Sequence, residues 1–248
     1  MTSAIAIIPA RFGSTRFPGK LLADRTGRPL LAHVYERAEA ASTIGTVLVA
    51  TDDDRIEAAV RGFGGNVVRT RTDHPNGTSR VAEAAASVTA DVIVNVQGDE
   101  PEIEPAVIDA VVSSLDEHPT CPMATAAAPF AAGDDPSDPN VVKVVLSVAG
   151  TALYFSRARI PFPRERVTAT PLKHVGLYAY RRPFLAQYVT LAATPLEQAE
   201  SLEQLRALEH GHGIAVAITD AHHHGIDTPE QYDAFVRRYA SAAAPRSR

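Results

Sequence analysis

Short apolar segments alternate with amphipathic ones through the first hundred residues, and Pro, Gly or polar residues mark the boundaries between them. Short apolar runs bounded by turn residues are typical of buried strands, whereas apolar residues at helical spacing predict helices. The predicted strands are residues 4–8, ending at Pro9, and residues 46–50, 66–69 and 91–96; the predicted helices between them are residues 29–41, 53–61 and 78–87. This order predicts an α/β fold with a parallel core and helices on both faces of the sheet.

The order of elements changes after Pro122, where three apolar segments follow one another without a helix between them. Such an order favours antiparallel pairing, so we expect an antiparallel extension over about residues 123–182. The predicted elements of this half are strands 123–129, 141–147, 152–155 and 214–218, helices 197–210 and 229–239, and a frayed tail over 241–248. Without an internal repeat or a long linker, residues 1–240 are expected to form a single domain.

Composition excludes several classes of protein. The chain has 248 residues, of which 45% are hydrophobic and 21% are charged, as in globular proteins and unlike disordered ones. The net charge of −5 argues against a nucleic-acid-coating surface, and the single cysteine, Cys121, excludes an intramolecular disulfide framework. No apolar run is long enough to span a membrane, and the N-terminus lacks the basic region of a signal peptide, so we expect a cytoplasmic protein.

Polar clusters follow three predicted strands, over residues 11–20, 51–54 and 97–100, where open α/β sheets bind their ligands. The first cluster contains three cations, Arg11, Arg16 and Lys20, among small residues. Arginine and lysine bind phosphate or carboxylate groups, although a surface loop with scattered cations is the alternative interpretation. The loop has the spacing of neither a P-loop nor a dinucleotide-binding glycine motif, which disfavours an oxidoreductase.

Two carboxylates are candidate ligands of Mg²⁺, which prefers oxygen donors and leaves room for phosphate oxygens. Asp99 comes directly after the fourth predicted strand, where a turn is the alternative interpretation. Asp227 precedes the last predicted helix in an Asp-Thr-Pro-Glu sequence that is equally typical of a helix start. From these residues alone, Asp227 is better interpreted as a helix cap.

Three other features do not by themselves indicate a function. Residues 222–224 are consecutive histidines, and adjacent side chains cannot all face one metal ion in regular structure. Cys121 has no motif around it and is expected to be inert. Residues 174–180 alternate as in a strand, with His174, Tyr178 and Tyr180 on one face.

A pattern emerges when the motifs are taken in chain order. The segments are Ile7-Ile8-Pro9-Ala10-Arg11, Val49-Ala50-Thr51-Asp52, Gly77-Thr78 with Arg80, Val94-Asn95-Val96-Gln97-Gly98-Asp99-Glu100-Pro101, Pro139-Asn140 with Val142-Lys143-Val144-Val145, Ala152-Leu153-Tyr154-Phe155-Ser156-Arg157-Ala158, Lys173-His174-Val175-Gly176-Leu177-Tyr178-Ala179-Tyr180, Leu202-Glu203-Gln204-Leu205-Arg206 and Gly225-Ile226-Asp227-Thr228-Pro229-Glu230. This ordered set resembles the 3-deoxy-manno-octulosonate cytidylyltransferases (CMP-Kdo synthetases) over about residues 4–237.

The resemblance implies a nucleotide-diphospho-sugar-transferase-like fold, in which a mixed sheet with a parallel core bears a small antiparallel extension used for dimerisation. It also implies that the anomeric hydroxyl of a 3-deoxy-ulosonic acid, with Kdo as the expected substrate, attacks the α-phosphorus of CTP. The products would be a CMP-sugar, for lipopolysaccharide or related glycan synthesis, and pyrophosphate. Mg²⁺ is the implied cofactor, and the implied partners are CTP, the sugar acid and a second copy of the chain.

The resemblance also assigns roles to individual residues. The implied catalytic residues are Arg11, Lys20, Asp99 and Asp227, with both aspartates as magnesium ligands, which replaces the cap interpretation of Asp227. The implied nucleotide-binding residues are Ala10, Arg11, Ser14, Arg16, Lys20, Asn76, Gly77, Thr78 and Arg80. The implied sugar-binding residues are Gln97, Arg157, His174, Tyr178, Glu203 and Gln204, with Arg157 facing the sugar carboxylate.

Two departures from the family pattern leave alternatives open. The family usually has an acidic residue where this chain has Ser79, and residues 164–172 form a shorter segment than in many relatives. The alternatives are a cytidylyltransferase for another ulosonic acid, such as a sialic-acid-like sugar, and a non-catalytic nucleotide- or sugar-binding homologue. Residues 173–180 and 202–206 favour the eight-carbon sugar, and retention of both Asp99 and Asp227 favours catalysis.

Overall fold

A mixed β-sheet forms the centre of the computed structural model, which describes residues 3–13, 16–131, 133–164, 171–220 and 225–243. The strands are β1 Ala4–Ala10, β2 Ile44–Thr51, β3 Val67–Arg69, β4 Val92–Asn95, β5 Met123–Pro129, β6 Lys143–Leu146, β7 Ala152–Ser156, β8 Leu172–Arg181 and β9 Ile214–Ile218. The α-helices are α1 Leu30–Glu39, α2 Asp54–Gly62, α3 Gly77–Ala86, α4 Pro105–Glu117, α5 Arg182–Tyr188, α6 Pro195–Glu200, α7 Gln204–Glu209 and α8 Pro229–Ala243.

The sheet has the strand order β3-β2-β1-β4-β8-β5-β9; off this path, β6 pairs with β8, and β7 pairs with β6. β1 pairs in parallel with β2 and β4, and β2 pairs in parallel with β3. β8 runs antiparallel to both β4 and β5. The predicted mixed sheet with a parallel core is therefore confirmed, and the carboxyl ends of β1, β2 and β4 lie at one edge.

Helices cover both faces of the sheet, as the sequence predicts. On one face α1, α2 and α4 pack against the strands, and Val34 and Ile108 belong to their buried layer. On the other face α3, α5 and α7 contribute Val81, Leu185 and Leu205 to a second buried layer. In the ranges that the structure describes, no helix is both long and apolar enough to cross a membrane.

β1 is longer than predicted, because the strand continues through Pro9 to Ala10. Proline has no N–H to donate to a ladder and is tolerated where one side of the strand is unpaired. β4 pairs with β1 only as far as Ile7, whereas β2 pairs with β1 to its end. Pro9 therefore has a partner strand on one side only, and the predicted strand end at Pro9 is wrong.

The single helix predicted over residues 197–210 is wrong. The structure has two helices, α6 and α7, separated at Ser201, which adopts a left-handed conformation with φ 52° and ψ 50°. The carbonyl groups of Glu200 and Ser201 accept hydrogen bonds from Arg157 at 2.7 and 3.4 Å, respectively. These carbonyls thus bond to a distant side chain at the corner, a contact that the helical spacing of the leucines does not reveal.

Other elements also differ from the prediction. α4 and α5 are absent from the predicted elements, although each has a proline in its first turn, which is a recognised start signal. The antiparallel region set apart from the main strand path is smaller than residues 123–182, because β5 and β8 belong to the central sheet. The tail predicted to fray from residue 241 is helical to Ala243, and residues 244–248 lie outside the described residues.

Replacing Ser201 by glycine is expected to raise the free energy of unfolding by about 0.5–1 kcal/mol, because glycine adopts positive φ without the steric cost of a Cβ atom. Urea denaturation followed by circular dichroism measures the change. Ser201→Ala is the matched control: it retains the Cβ atom and is expected to bring no gain. An equal gain in both variants would contradict this account of the corner.

Candidate active site

A cavity of about 430 Å³ opens among the segments that follow β1 and β4 and the start of α3. This is the carboxyl edge of the parallel strands, where the topology predicts a ligand. The residues that line the cavity are Pro9, Arg11, Gly13, Arg16, Lys20, Leu21, His74, Asn76, Gly77, Arg80, Gln97, Gly98, Asp99 and Asp227. The structure therefore brings together most of the predicted nucleotide-binding residues and all four predicted catalytic residues. Ser14 lies outside the described residues.

The loop after β1 folds back on itself and places Lys20 at the cavity. Gly19 has φ 70°, and its N–H donates to the Phe12 carbonyl oxygen at 3.3 Å. A Cβ atom at Gly19 would lie 3.2 Å from the Phe12 ring, so this position favours glycine both sterically and conformationally. Lys20 follows at once in the 3₁₀ turn Lys20–Leu22.

Lys20 lies between the two predicted magnesium ligands. Its Nζ is 2.5 Å from Asp99 Oδ2, 3.1 Å from Asp227 Oδ1 and 2.9 Å from the Ile226 carbonyl oxygen. Arg16 pairs with the other carboxylate oxygen of Asp227 at 2.9 Å. Two cations and two carboxylates thus form one cluster at the cavity, and Arg11 lines the same space.

Asp227 is not the cap of α8. Thr228 and Gln231 form a reciprocal capping arrangement, since Gln231 Oε1 accepts from the Thr228 N–H at 3.0 Å and Thr228 Oγ1 accepts from the Gln231 N–H at 3.4 Å. The Asp227 carboxylate is therefore available to the cavity. The Ile226 N–H donates to the Asp99 carbonyl oxygen at 2.8 Å, which holds the two carboxylate segments side by side.

The donor set around Lys20 fits a magnesium ion. Proteins commonly bind Mg²⁺ with one or two carboxylates and leave its other positions to water and substrate phosphates. Within the described ranges, no group of three or more His, Cys, Asp or Glu side chains is placed to hold a metal ion. The two carboxylates, Asp99 and Asp227, would supply the protein ligands of such an ion, and phosphate oxygens of a substrate would supply others. Residues 222–224 lie outside the described residues, so nothing here tests their interpretation.

The segment before α3 borders the cavity through a capped helix start. Asn76 Oδ1 accepts from the Ser79 N–H at 2.9 Å, which caps α3. The Arg80 side chain is only 5% exposed and pairs with Asp52 Oδ1 at 3.0 Å and with Thr70 Oγ1 at 2.5 Å. Asp52, from the predicted polar cluster 51–54, thus holds the Arg80 guanidinium in place at the cavity.

His74 also lines this cavity, although it is absent from the predicted site residues. One of its ring nitrogens lies 3.1 Å from Ser79 Oγ, and the other contacts the Glu83 carboxylate. Ser79, the departure from the family pattern, is therefore bonded to a histidine that is itself paired with an acid. A histidine two residues before the Asn-Gly-Thr sequence was the available signal for this site residue.

A second cavity, of about 620 Å³, contains His174 in its lining. Glu100 lines this cavity, whereas the preceding residue, Asp99, lines the first one. Gly225 likewise borders the second cavity, two residues before Asp227. The same two segments therefore border both cavities. Glu100 belongs to the predicted polar cluster 97–100, although no role was assigned to it from the sequence.

His174 is held as a neutral ring. Its Nε2 lies 2.9 Å from Thr125 Oγ1, and the Thr125 hydroxyl donates to the Leu177 carbonyl oxygen at 2.8 Å, so the ring nitrogen acts as the donor. The Phe155 and Tyr178 rings lie 5.1 and 5.5 Å from the imidazole. Burial lowers the pKa of His174 to about 3 and raises the pKa of Tyr178 well above its ordinary value.

Glu203 connects the predicted sugar residues to the predicted nucleotide residues. Thr78 Oγ1 donates to Glu203 Oε2 at 3.0 Å, and the Tyr188 hydroxyl donates to the Glu203 carbonyl oxygen at 2.6 Å. The Gln204 side chain is buried, and its Nε2 has no hydrogen-bond partner among the described residues. Gln97 lines the first cavity.

Arg157 donates to backbone carbonyls from all three of its guanidinium nitrogens. The acceptors are Glu200 at 2.7 Å, Pro139 at 3.0 Å and Ser201 at 3.4 Å. Arg157 is in the described lining of neither cavity. These contacts hold the corner between α6 and α7, and its predicted role at the sugar carboxylate stays a prediction.

Lys143 is a buried cation whose function the sequence did not indicate. Its Nζ donates to the carbonyl oxygens of Asp138 at 2.8 Å, Val141 at 2.6 Å and Arg157 at 2.5 Å. Burial lowers the pKa of Lys143. The side chain thereby joins the segment before β6 to the end of β7.

The fold and this site define a nucleotidyltransferase. A family model described as cytidylyltransferase matches residues 5–215. A 3-deoxy-manno-octulosonate cytidylyltransferase from Solibacter usitatus is 50% identical over 239 residues, which cover 96% of this chain and 95% of the relative. The chain belongs to the 3-deoxy-manno-octulosonate cytidylyltransferase family, as the ordered motifs indicate.

Further relatives agree. An enzyme of the same name from Geobacter sulfurreducens is 51% identical over 239 residues, covering 92% of this chain and 96% of the relative. The solved structure of a CMP:2-keto-3-deoxy-manno-octonic acid synthetase complexed with CTP superposes with a TM-score of 0.93 at 43% identity, covering 97% of this chain and all of that one. A cytidylyltransferase from Leptospira borgpetersenii, at 18% identity and a TM-score of 0.65, shares the fold.

Acidification is expected to destabilise the protein partly through His174. Its pKa is about 3 in the folded chain against an ordinary 6.5, so the unfolded chain binds more protons as the pH falls through this window. Replacing His174 by glutamine should reduce the loss of unfolding free energy between pH 7 and pH 5 by about 1–2 kcal/mol, measured by urea denaturation. The exposed His210 provides the control, since His210→Gln should retain the wild-type slope. Equal slopes in all three proteins would contradict a His174 that is held neutral.

Proposed function

We propose that this protein transfers the cytidylyl group of CTP to Kdo and releases pyrophosphate. One observation carries the proposal: the cations of the β1 loop and the carboxylates of Asp99 and Asp227 meet at one cavity. The sequence of this chain is 50% and 51% identical to those of two enzymes named 3-deoxy-manno-octulosonate cytidylyltransferase. Those relatives do not favour the alternatives, a sialic-acid-like substrate or a non-catalytic homologue.

The reaction is a displacement at the α-phosphorus. The anomeric hydroxyl oxygen of the sugar acid bonds to that phosphorus, and the bond from phosphorus to the oxygen bridging the α- and β-phosphates breaks. The electron pair of this bond leaves with pyrophosphate, and the hydroxyl proton passes to solvent. Such a displacement depends on positioning and charge neutralisation more than on covalent help from the protein. Arg11, Arg16 and Lys20 supply positive charge beside the cavity for the triphosphate.

Mg²⁺ is the proposed cofactor, with Asp99 and Asp227 as the residues that would hold it. When bound, such an ion neutralises charge on phosphate oxygens during the displacement. Asp99 and Asp227 keep their places without it, because the Ile226 N–H donates to the Asp99 carbonyl oxygen. The support for the cofactor is the pair of carboxylates that share one ammonium group, Lys20 Nζ.

The nucleotide and the sugar acid are proposed to meet where Thr78 contacts Glu203. Asn76, Gly77 and Arg80 line the cavity on the nucleotide side. The sugar hydroxyls would be bound by Gln97, His174, Tyr178, Glu203 and Gln204. The buried Nε2 of Gln204 is a donor without a partner among the described residues, and a sugar hydroxyl or carboxylate would satisfy it.

We propose a cytoplasmic location, which the proposed use of CTP, a metabolite of the cytoplasm, supports. The single cysteine, Cys121, carries no information on the compartment, since it has no second cysteine in the chain to pair with.

A panel of substrates tests the function. Pyrophosphate release should be fastest with CTP among the four nucleoside triphosphates, and with Kdo when Kdo, sialic acid and related ulosonic acids are compared. Asp99→Asn should reduce turnover at least about 100-fold, because the amide removes a charge from the cation site without changing its shape. Asp54→Asn is the matched control, since Asp54 is 92% exposed and pairs only at the surface with Arg69. Absence of pyrophosphate release with CTP and Kdo would overturn the proposal.

A homodimer is proposed from the apolar side chains that are exposed between β6 and the segment after β7. Val148, Leu153 and Phe162 are 110%, 61% and 82% exposed. Large exposed apolar side chains are more frequent at interaction surfaces, and a second copy related by a twofold axis would cover the same residues on both chains. Sedimentation velocity should show a dimer at micromolar concentration, and Leu153→Glu should shift it to monomer. A monomeric wild-type protein would contradict the proposal.

A further inference from the structure

The ammonium group of Lys20 occupies the space between Asp99 and Asp227. Its three oxygen neighbours lie at 2.5, 2.9 and 3.1 Å, which matches the three N–H donors of an ammonium group. The Lys20 side chain is only 13% exposed, whereas the Asp227 side chain is 44% exposed. The lysine is therefore fixed inside the cluster rather than extended into solvent.

This arrangement excludes a metal ion at the same point. Magnesium takes its oxygen ligands at about 2.0–2.1 Å, and the same carboxylate oxygens cannot approach it that closely while Nζ lies between them. Two carboxylates facing one Lys20 and one Arg16 are already neutralised. A divalent cation entering alone would face positive charge and would leave Lys20 without acceptors.

A bound triphosphate would change this balance between the two carboxylates and the two cations. Arg11, Arg16 and Lys20 line one cavity, so phosphate oxygens entering it offer acceptors to the Lys20 ammonium and the Arg16 guanidinium. A lysine can change partners without backbone movement, because its charge sits at the end of a flexible four-carbon stem. The backbone of Lys20 stays fixed by the turn that follows Gly19.

We propose that Lys20 is the resident counter-ion of the Asp99–Asp227 pair and keeps divalent metal out until a triphosphate draws the ammonium away. Metal and nucleotide binding are then coupled, and the free protein has little affinity for metal alone. This inference rests on the proposed function for the identity of the triphosphate. The metal-binding behaviour of the free chain does not depend on which sugar the enzyme uses.

The test uses Mn²⁺ alone as the probe, with free Mn²⁺ quantified by electron paramagnetic resonance. Lys20→Met should bind Mn²⁺ at least about tenfold more tightly than the wild type, because the two carboxylates are then left with only the Arg16 guanidinium to balance their charge and attract the cation more strongly. Adding Asp227→Asn to Lys20→Met should abolish that gain. Arg61→Gln is the charge control: it removes an exposed cation paired with Glu57, leaves that carboxylate behind and should not change the affinity.

Lys20→Gln provides a second variant that keeps a hydrogen-bond donor beside the carboxylates should Lys20→Met fail to fold. Unchanged or weaker Mn²⁺ binding in the folded variant would overturn the proposal, as would an equal gain in Arg61→Gln.

Calorimetry then tests whether the triphosphate releases Lys20 from the carboxylates: Mg²⁺ should strengthen CTP binding by a larger factor in the wild type than in the Lys20 variant. An equal factor would overturn the coupling. If the wild-type protein released no pyrophosphate with CTP and Kdo while these binding results held, the proposed function alone would be overturned.

Discussion

Parallel pairing of β1 with β2 on one side and β4 on the other is the constraint on which the site depends. Because these strands run in one direction, the residues that follow them leave the sheet at one edge. Arg11, Asp52 and Asp99 therefore converge without long loops. The approach is close, since a Cβ atom at Gly98 would lie 3.3 Å from the Pro9 carbonyl oxygen. A side chain at position 98 would have to move the two segments apart by a few tenths of an ångström, so this close approach favours glycine.

Polar contacts fix the second half of the chain to this edge in addition to the apolar layer that the two halves share. The Thr78 hydroxyl bonds to Glu203, so the start of α3 and the corner between α6 and α7 are in direct contact. Arg157 binds the carbonyls of that corner, and Lys143 binds the carbonyl of Arg157. Buried polar networks of this kind are sensitive to the loss of any one member, because the remaining groups are left unpaired. The geometry of Glu203 thus depends on residues that need not contact a substrate.

The sequence predicts the features that depend on neighbouring residues and misses those that depend on distant ones. The strands of the parallel core and the cation loop are recognisable because apolar runs and turn residues act locally. The break at Ser201 is not, since it is bonded to Arg157, and helical periodicity continues through it. Asp227 shows the same limit: its local sequence indicates a helix start, but the capping is done by Thr228 and the carboxylate turns to Lys20. The ordered motifs, not spacing, gave Asp227 its predicted role.

The low exposure of Lys20 and the burial of Lys143 have a consequence for the chemistry of the surface. The chain has only three lysines, and the third, Lys173, is 7% exposed. Nearly all the positive charge that faces solvent is therefore arginine, whose guanidinium stays protonated at any ordinary pH and does not form amides as an amine does. Acetylation, carbamylation and amine-directed cross-linking find almost no lysine side chain on the outside of this protein. The positive charge of its surface is in effect permanent, and the three lysine amines are kept for contacts in the interior or at the cavity.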